Sequence, residues 1–310
     1  MSGGVMCAGP LNGVRGTAEA QPSLPERLPA HRRPMFVDGA GLRVRNLERT
    51  IIFYQQVIGL QIVSQTEHDA LLGIGGSGLI ELVRSPDATR VPPEAAGLYH
   101  LAFEMPTRRE LARLIIHAAT HHFPVSGLAD HRVTESVYLN DPEGNGIEVY
   151  ADRPESQWQW NAGQVEMGVF DLDIDPLLKL VDRNTDDYSA APAALRVGHI
   201  HLKVGDLAAA ETFYSGVIGF DVTRLAPGVV FMSSGKYHHH VAANIWDSQG
   251  AGPRAEKALG LSWFSIAVAD RSMLDGQEAR LRRAGVPFRK VSGRIEVEDP
   301  WGNTVRLTPA

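Results

Sequence analysis

Three stretches of this sequence gather side chains that can hold a proton or a metal ion. They are His199-Ile-His201-Leu-Lys-Val204, the run Tyr237-His238-His239-His240-Val241, and Asp141-Pro-Glu-Gly-Asn145-Gly-Ile-Glu148-Val149; His100 stands alone upstream. A neutral imidazole can ligate a metal, and the same ring titrates close to neutral pH, so it also serves as an acid or a base. With a carboxylate it makes a nitrogen–oxygen donor set suited to iron, manganese or zinc. The only cysteine is Cys7. One cysteine can form neither a disulfide framework nor a sulfur-ligated metal site. If these histidines lie on strands, His199 and His201 share a face. By the same alternation His238 and His240 share one face and His239 takes the other.

The elements that must position these residues repeat along the chain. Val44-Arg-Asn-Leu leads into Phe53-Tyr-Gln-Gln-Val-Ile-Gly59, and Val204-Gly-Asp-Leu leads into Phe213-Tyr-Ser-Gly-Val-Ile-Gly219, 160 residues on. Asp141-Pro-Glu-Gly-Asn145 returns as Asp299-Pro-Trp-Gly-Asn303 after 158 residues. Such self-similarity marks two homologous halves, residues 35–153 and 195–310. Each half divides again. Leu42–Val44 ends a first strand, Leu47–Ile58 form a helix that Gly59 terminates, and Leu60–Ser64, Ala70–Ile74 and Leu79–Val83 read as short strands. The next quarter follows suit: strand Tyr99–Glu104, helix Arg108–Thr120, then strands near Phe123, at Glu135–Leu139 and at Gly146–Tyr150. The order returns at 197–246 and 260–308. The expected fold is therefore α+β, four βαβββ modules paired into two curled-sheet units. Residues 154–194 form a connector carrying Trp158, Trp160 and the apolar stretch Pro176–Val181. It is expected to pack over the sheets with one helix; a lid over substrate is the other reading.

Composition bounds the setting. The chain has 44% hydrophobic and 21% charged residues, the balance of a soluble globular protein. A net charge of −6 gives no reason to expect nucleic acid or an anionic membrane as partner. No run of eighteen apolar residues offers a membrane span. Residues 1–34, rich in Gly, Ala, Pro and Arg, read as a disordered leader without the apolar core of a signal peptide. The cytoplasm is the expected compartment, and a homodimer is one expected assembly.

Strand–helix–three-strand quarters with His on a first strand and Glu on a last strand resemble the vicinal-oxygen-chelate superfamily. That group contains glyoxalase I, bleomycin-resistance proteins and extradiol dioxygenases; four quarters in one chain resemble the bacterial catechol 2,3-dioxygenase type. The resemblance covers nearly all of the chain after residue 35. It implies metal ligands on the first and last strands of paired quarters. The first-strand positions hold Gly39, His100, His199 and Trp263; the last-strand positions hold Glu81, Glu148, a position near Val241, and Arg306. His100, His199 and Glu148 then give a two-His-one-carboxylate set for Fe(II), with Mn(II) as an alternative. Extradiol enzymes usually take all three ligands from quarters three and four. Here two fall in quarter two, so quarters two and three are expected to pair, and one with four; pairing one with two and three with four is the alternative.

The resemblance also implies roles. His239 matches the place of an acid–base histidine that takes a proton from the catechol and later returns it. Tyr138, ten residues before Glu148 with the Asp-Pro-x-Gly-Asn turn between, matches an active-site tyrosine, and His131 lies near where a further histidine is found. His201 would line the pocket. Glu81 could join His100 and Glu148 in a glyoxalase-like set, but Gly39 leaves that set short, and Glu81 reads better as an exposed strand-end residue. The implied activity is extradiol cleavage of a small aromatic diol with dioxygen. The alternatives are a metal-dependent glyoxalase-like isomerase or lyase, and a metal-free protein that sequesters a small aromatic molecule.

Overall fold

A computed structural model describes residues 29–182 and 188–310. Its first quarter comprises β1 (Met35–Val44), α1 (Leu47–Phe53), β2 (Gln61–Gln65), β3 (Asp69–Ile74) and β4 (Ser77–Arg84). The second comprises β5 (Gly97–Met105), α2 (Arg108–Thr120), β6 (Val125–Asp130), β7 (Thr134–Asn140) and β8 (Gly146–Asp152). The connector holds the short strands β9 (Trp160–Asn161) and β10 (Gln164–Val165) and one turn of helix, α3 (Asp175–Leu178). The third quarter has β11 (Arg196–Lys203), α4 (Leu207–Glu211), β12 (Asp221–Ala226), β13 (Val229–Ser233) and β14 (Val241–Asn244). The fourth has β15 (Gly260–Val268), α5 (Arg271–Arg283), β16 (Phe288–Val291), β17 (Arg294–Glu298) and β18 (Thr304–Pro309).

Each quarter leaves its first strand as an open edge, whose amides and carbonyls need partners. β5 and β11 pair antiparallel, so quarters two and three make one eight-stranded sheet ordered β12-β13-β14-β11-β5-β8-β7-β6. β1 and β15 join quarters one and four in the same way. The two sequence halves are thus interleaved: each sheet draws one quarter from each half. The helices and buried sheet faces contribute to one continuous hydrophobic cluster running from Met35 to Leu307.

The repeated motifs have a common structural role. α1 and α4 each widen into a π-helical turn, Tyr54–Ile58 and Thr212–Ile218, and each ends at a glycine with positive φ. The turn buries Tyr54 and Tyr214, whose hydroxyls donate to Asp141 and Asp299 respectively. Those aspartates in turn accept the amides of Asn145 and Asn303 and thereby close the Asp-Pro-x-Gly-Asn turns. The first of these turns delivers β8 and Glu148 to the sheet. Gly59 has φ of 83°, and a Cβ there would stand 2.4 Å from the Ala191 amide nitrogen. Gly59→Ala is expected to destabilise the fold by about 1–3 kcal/mol, read as a lower denaturant midpoint at unchanged slope.

Three expectations about the elements need correction. The strand expected near Phe123 begins at Val125, because His122 adopts φ of 54° and the Phe123 amide bonds back to the Ala118 carbonyl, closing α2. The His238–His240 run lies in a bend before β14, not on a strand, and all three rings are buried. Of the expected leader, residues 1–28 lie outside the described residues. Pro29–Arg32, however, form a packed 3-10 turn: Ala30 is buried, and the His31 ring reaches the Val197 carbonyl.

Candidate metal centre

In the sheet made from quarters two and three, β5 runs parallel to β8 with Ala102 opposite Glu148, while His100 on β5 faces His201 on β11. His199 pairs with Ala102 in unbroken register with His201 and so stands on the same side, next to Gly198, which Tyr150 approaches closely. A Cβ at Gly198 would lie 1.9 Å from the Tyr150 hydroxyl, so glycine is needed for this approach. The result joins both halves of the sequence at one point. His100 Nε2 is 2.9 Å and His199 Nε2 3.1 Å from the same oxygen, Glu148 Oε2. All three residues are buried, and their ligand atoms lie within 4.8 Å of one another. Among the described residues, this is the one group of three or more His, Cys, Asp or Glu arranged to hold a metal ion.

The donor set fits a divalent cation. Two imidazole nitrogens converge on one carboxylate oxygen, yet His100 Nε2 makes no hydrogen bond of acceptable geometry. A buried polar atom in that position calls for a partner. Burial pushes His199 down to about 4, despite the pull of Glu148, so the ring is neutral at neutral pH and its lone pair is free to ligate. Burial would raise Glu148, but the facing His199 and His100 overcome it and hold the carboxyl well below its ordinary range. A buried carboxylate and two imidazole nitrogens are donors that a divalent ion takes.

The last-strand position left open near Val241 is Ala242. It pairs with His201 just as Glu81 pairs with Gly41 in the other sheet. An alanine cannot ligate, so the site has three protein donors, not four. In the sheet of quarters one and four the corresponding positions have been filled otherwise. The Trp263 indole donates to Glu81 at 2.8 Å, and the Arg306 guanidinium lies 3.9 Å over the Trp263 ring. Glu81 is thus a half-buried mid-strand residue and not the exposed strand-end residue expected.

A cavity of about 580 Å³ opens over the cluster. His100, Glu148, Tyr138, His131, His201 and His239 all line it, so every expected site residue except the buried His199 reaches its wall. His199 stands directly behind His239, with ring centres 4.1 Å apart. His131 sits between the Gly168 carbonyl, 2.7 Å from Nδ1, and the Tyr138 hydroxyl, 2.7 Å from Nε2. A carbonyl can only accept, so Nδ1 carries the proton, which in the Nδ1–H tautomer leaves Nε2 to accept from Tyr138. Burial first, and the Glu148 charge second, raise the Tyr138 phenol above its ordinary range, so it stays protonated. His201 Nε2 accepts from the Asn244 amide at 3.0 Å.

The connector supplies part of this wall. Met167, Gly168 and Val169 line the cavity, and Trp158 packs against Tyr237 and His238. Tyr237, Asp152, Glu104 and Gly168 are contributors that motif reading did not single out. Two of them carried a signal: Glu104 lies two strand pleats beyond His100, and Asp152 two beyond Glu148, hence on the same faces.

Two sheets built from four βαβββ quarters, one of them holding a His–Glu–His cluster beneath a cavity, define the class. The chain belongs to the Glyoxalase/Bleomycin resistance protein/Dioxygenase superfamily, whose family model matches residues 36–149 and 196–307. It is 37% identical to a protein of Bacillus subtilis (strain 168) named Catechol-2,3-dioxygenase, over 266 residues that cover 84% of this chain and 92% of that protein. Solved structures share the fold. Glyoxalase I from Zea mays matches with a TM-score of 0.54 at 15% identity, covering 90% of this chain and 94% of that one. The cppA protein from Streptococcus pneumoniae TIGR4 matches with 0.57 at 12% identity, covering 89% and 99%. Among the described residues no helix is long and apolar enough to cross a membrane.

Proposed function

We propose that this chain is an extradiol ring-cleaving dioxygenase that opens catechol or a substituted catechol with dioxygen, using Fe(II) held by His100, His199 and Glu148. Mn(II) suits the same donors. The observation that carries the reading is the three-donor cluster at the floor of a largely apolar cavity, with Ala242 where a fourth ligand would stand. A site with three protein donors leaves positions for both oxygens of a diol and for dioxygen. The similarity to a protein named Catechol-2,3-dioxygenase supports the same substrate class.

Bound there, Fe(II) would supply the Lewis-acid and redox chemistry that brings an ionised diol and dioxygen to react. The chain's own residues do the rest. Val133, Ile147, Val229 and Phe231 give the cavity apolar walls that take an aromatic ring and exclude water. Its volume leaves space for a ring substituent. His239 accepts a proton from the substrate hydroxyl and later returns it, a task suited to a neutral ring in the cavity wall. Tyr138, whose proton goes to the His131 ring, accepts from a substrate hydroxyl, and His131, anchored by Gly168, fixes that orientation. Tyr138→Phe is expected to lower kcat/KM about tenfold, the effect of one hydrogen bond worth about 1.4 kcal/mol, with metal content unchanged.

The test is to load the protein anaerobically with Fe(II), add catechol and air, and follow oxygen uptake and the yellow ring-opened product. Uptake with colour, lost in both His100→Ala and His199→Ala, is the expected result. Stoichiometric iron without turnover of any catechol would move the reading to a glyoxalase-like reaction. No bound metal would leave a sequestering protein.

A further inference from the structure

Behind His239 lies a chain of buried polar groups that metal binding does not use. His239 Nδ1 stands 2.8 Å from His238 Nδ1. His238 Nε2 stands 3.0 Å from Asp152 Oδ1, which also accepts from the Tyr237 hydroxyl at 3.3 Å. Asp152 in turn meets the carboxyl of Glu104. His238, His239, Glu104 and Asp152 are all buried. Neither Glu104 oxygen, nor Asp152 Oδ2, has a donor in hydrogen-bonding geometry. Two buried carboxyl groups facing each other with unsatisfied oxygens require a proton between them.

The two facing Nδ1 atoms admit only two arrangements, because one of them must carry a proton and the other must accept it. With Asp152 ionised, it accepts from His238 Nε2–H; His238 Nδ1 then accepts from His239 Nδ1–H, and His239 Nε2 presents a lone pair to the cavity. With Asp152 protonated, it donates to His238 Nε2; His238 Nδ1–H donates to His239, and His239 Nε2 presents a proton. The first arrangement is a base and the second an acid. They differ by one proton, and both rings are neutral in each.

We propose that His238, Asp152 and Glu104 form a proton relay behind His239, which stores the proton taken from substrate on the Asp152–Glu104 carboxyl pair and later returns it. This rests on the reading of His239 as the acid–base group. On uptake the substrate O–H bond breaks and a bond to His239 Nε2 forms. The Nδ1 proton of His239 passes to His238 Nδ1, and the Nε2 proton of His238 passes to Asp152. Return reverses each transfer, so protons balance without any oxidant or co-reactant.

The surroundings favour this route over a charged imidazole. Burial pushes His238 down to about 3, which makes a buried imidazolium costly. Burial lifts Asp152 well above the ordinary carboxylate range against the pull of Tyr237 and His199, with Glu155 adding to the rise, so this carboxyl takes up a proton far more readily than an exposed one. Burial and the neighbouring Asp152 raise Glu104 well above the ordinary carboxylate range, which the Ala30 amide, outside hydrogen-bonding geometry, and the Arg32 charge only partly offset.

The test compares Fe(II)-loaded wild type with Asp152→Asn, His238→Gln, the double variant and His239→Asn, using catechol as substrate. An amide can hold either end of the chain but cannot pass a proton along it. Each single variant is expected to lose about 10- to 100-fold in kcat, with KM and iron content unchanged. The double variant is expected to be no worse than either single one, since a chain is broken once. If one single variant fails to fold, the other still decides through kcat, KM and iron content. Wild-type kcat in Asp152→Asn or His238→Gln, or losses that multiply in the double variant, would overturn the relay. If His239→Asn is slow while both others run at the wild-type rate, the relay alone falls. If His239→Asn is itself as fast as wild type, the acid–base reading falls and the relay with it.

Discussion

Glu148→Ala is expected to empty the metal centre and to lower kcat/KM with catechol by more than about 100-fold. Loss of a group that merely orients a metal ligand costs about 10- to 100-fold in affinity or activity, and removal of the ligand itself costs more. Here the carboxylate contributes the only negative charge of the donor set, and both His100 and His199 turn toward its single oxygen Oε2. Two neutral imidazoles alone would face a divalent cation in a buried site without charge compensation. Glu148→Gln is expected to behave alike, since the amide keeps the shape and loses the charge. Metal content after gel filtration, read beside a circular dichroism spectrum, checks the prediction: metal absent with the fold intact is expected. Full metal content in Glu148→Ala would place the ion elsewhere.

His239→Asn gives the second large effect, of a different kind. The expected loss is about 10²- to 10⁴-fold in kcat with metal content unchanged, the range for removing a general acid–base group. The ring lies in the cavity wall beside the donor set but does not belong to it. Its centre is 4.1 Å from that of His199, so the ring borders the donor set. Burial first, and the neighbouring His199 and His238 next, lower its pKa well below the ordinary value. It is therefore neutral at working pH and able to accept. The contrast between the two variants separates holding the metal from moving the proton. Steady-state kinetics with metal analysis on the same preparations reads both, and equal metal loss in the two would contradict the division of roles.

Much of this arrangement was legible in the sequence because duplication made it so. The 160-residue spacing of the Phe-Tyr…Gly motifs sets out the halves, the strand–helix–strand pattern within each sets out the quarters, and the blank ligand positions at Gly39 and Trp263 point to the pairing of quarters two and three. That pairing is the one observed between β5 and β11. Glycine at position 59 marked a helix end for a reason of backbone geometry alone, and its φ of 83° agrees. Less legible were features set by register across distant strands. The position left open near Val241 is fixed as Ala242 only by the pairing, because the third quarter carries one more residue between its first and last strands than the first quarter does. Alternation along a strand separates His238 from His239 and says nothing about a bend that turns the two side by side. The Trp263 indole bonded to Glu81 could not be foreseen from either residue alone, because it depends on how the first and fourth quarters meet. Gly168 reached the site through the connector, whose path no periodicity describes. Glu104 and Asp152 were within reach of a simple argument, since each lies four residues beyond a ligand on the same strand face.

The most direct test of the central claim is to run the Fe(II)-loaded protein with catechol under isotopically heavy dioxygen and weigh the product. A ring-opened product carrying both heavy atoms is the result expected of extradiol cleavage at the His100–Glu148–His199 centre. A product with none of the label, or catechol recovered unchanged by iron-replete protein, would contradict it.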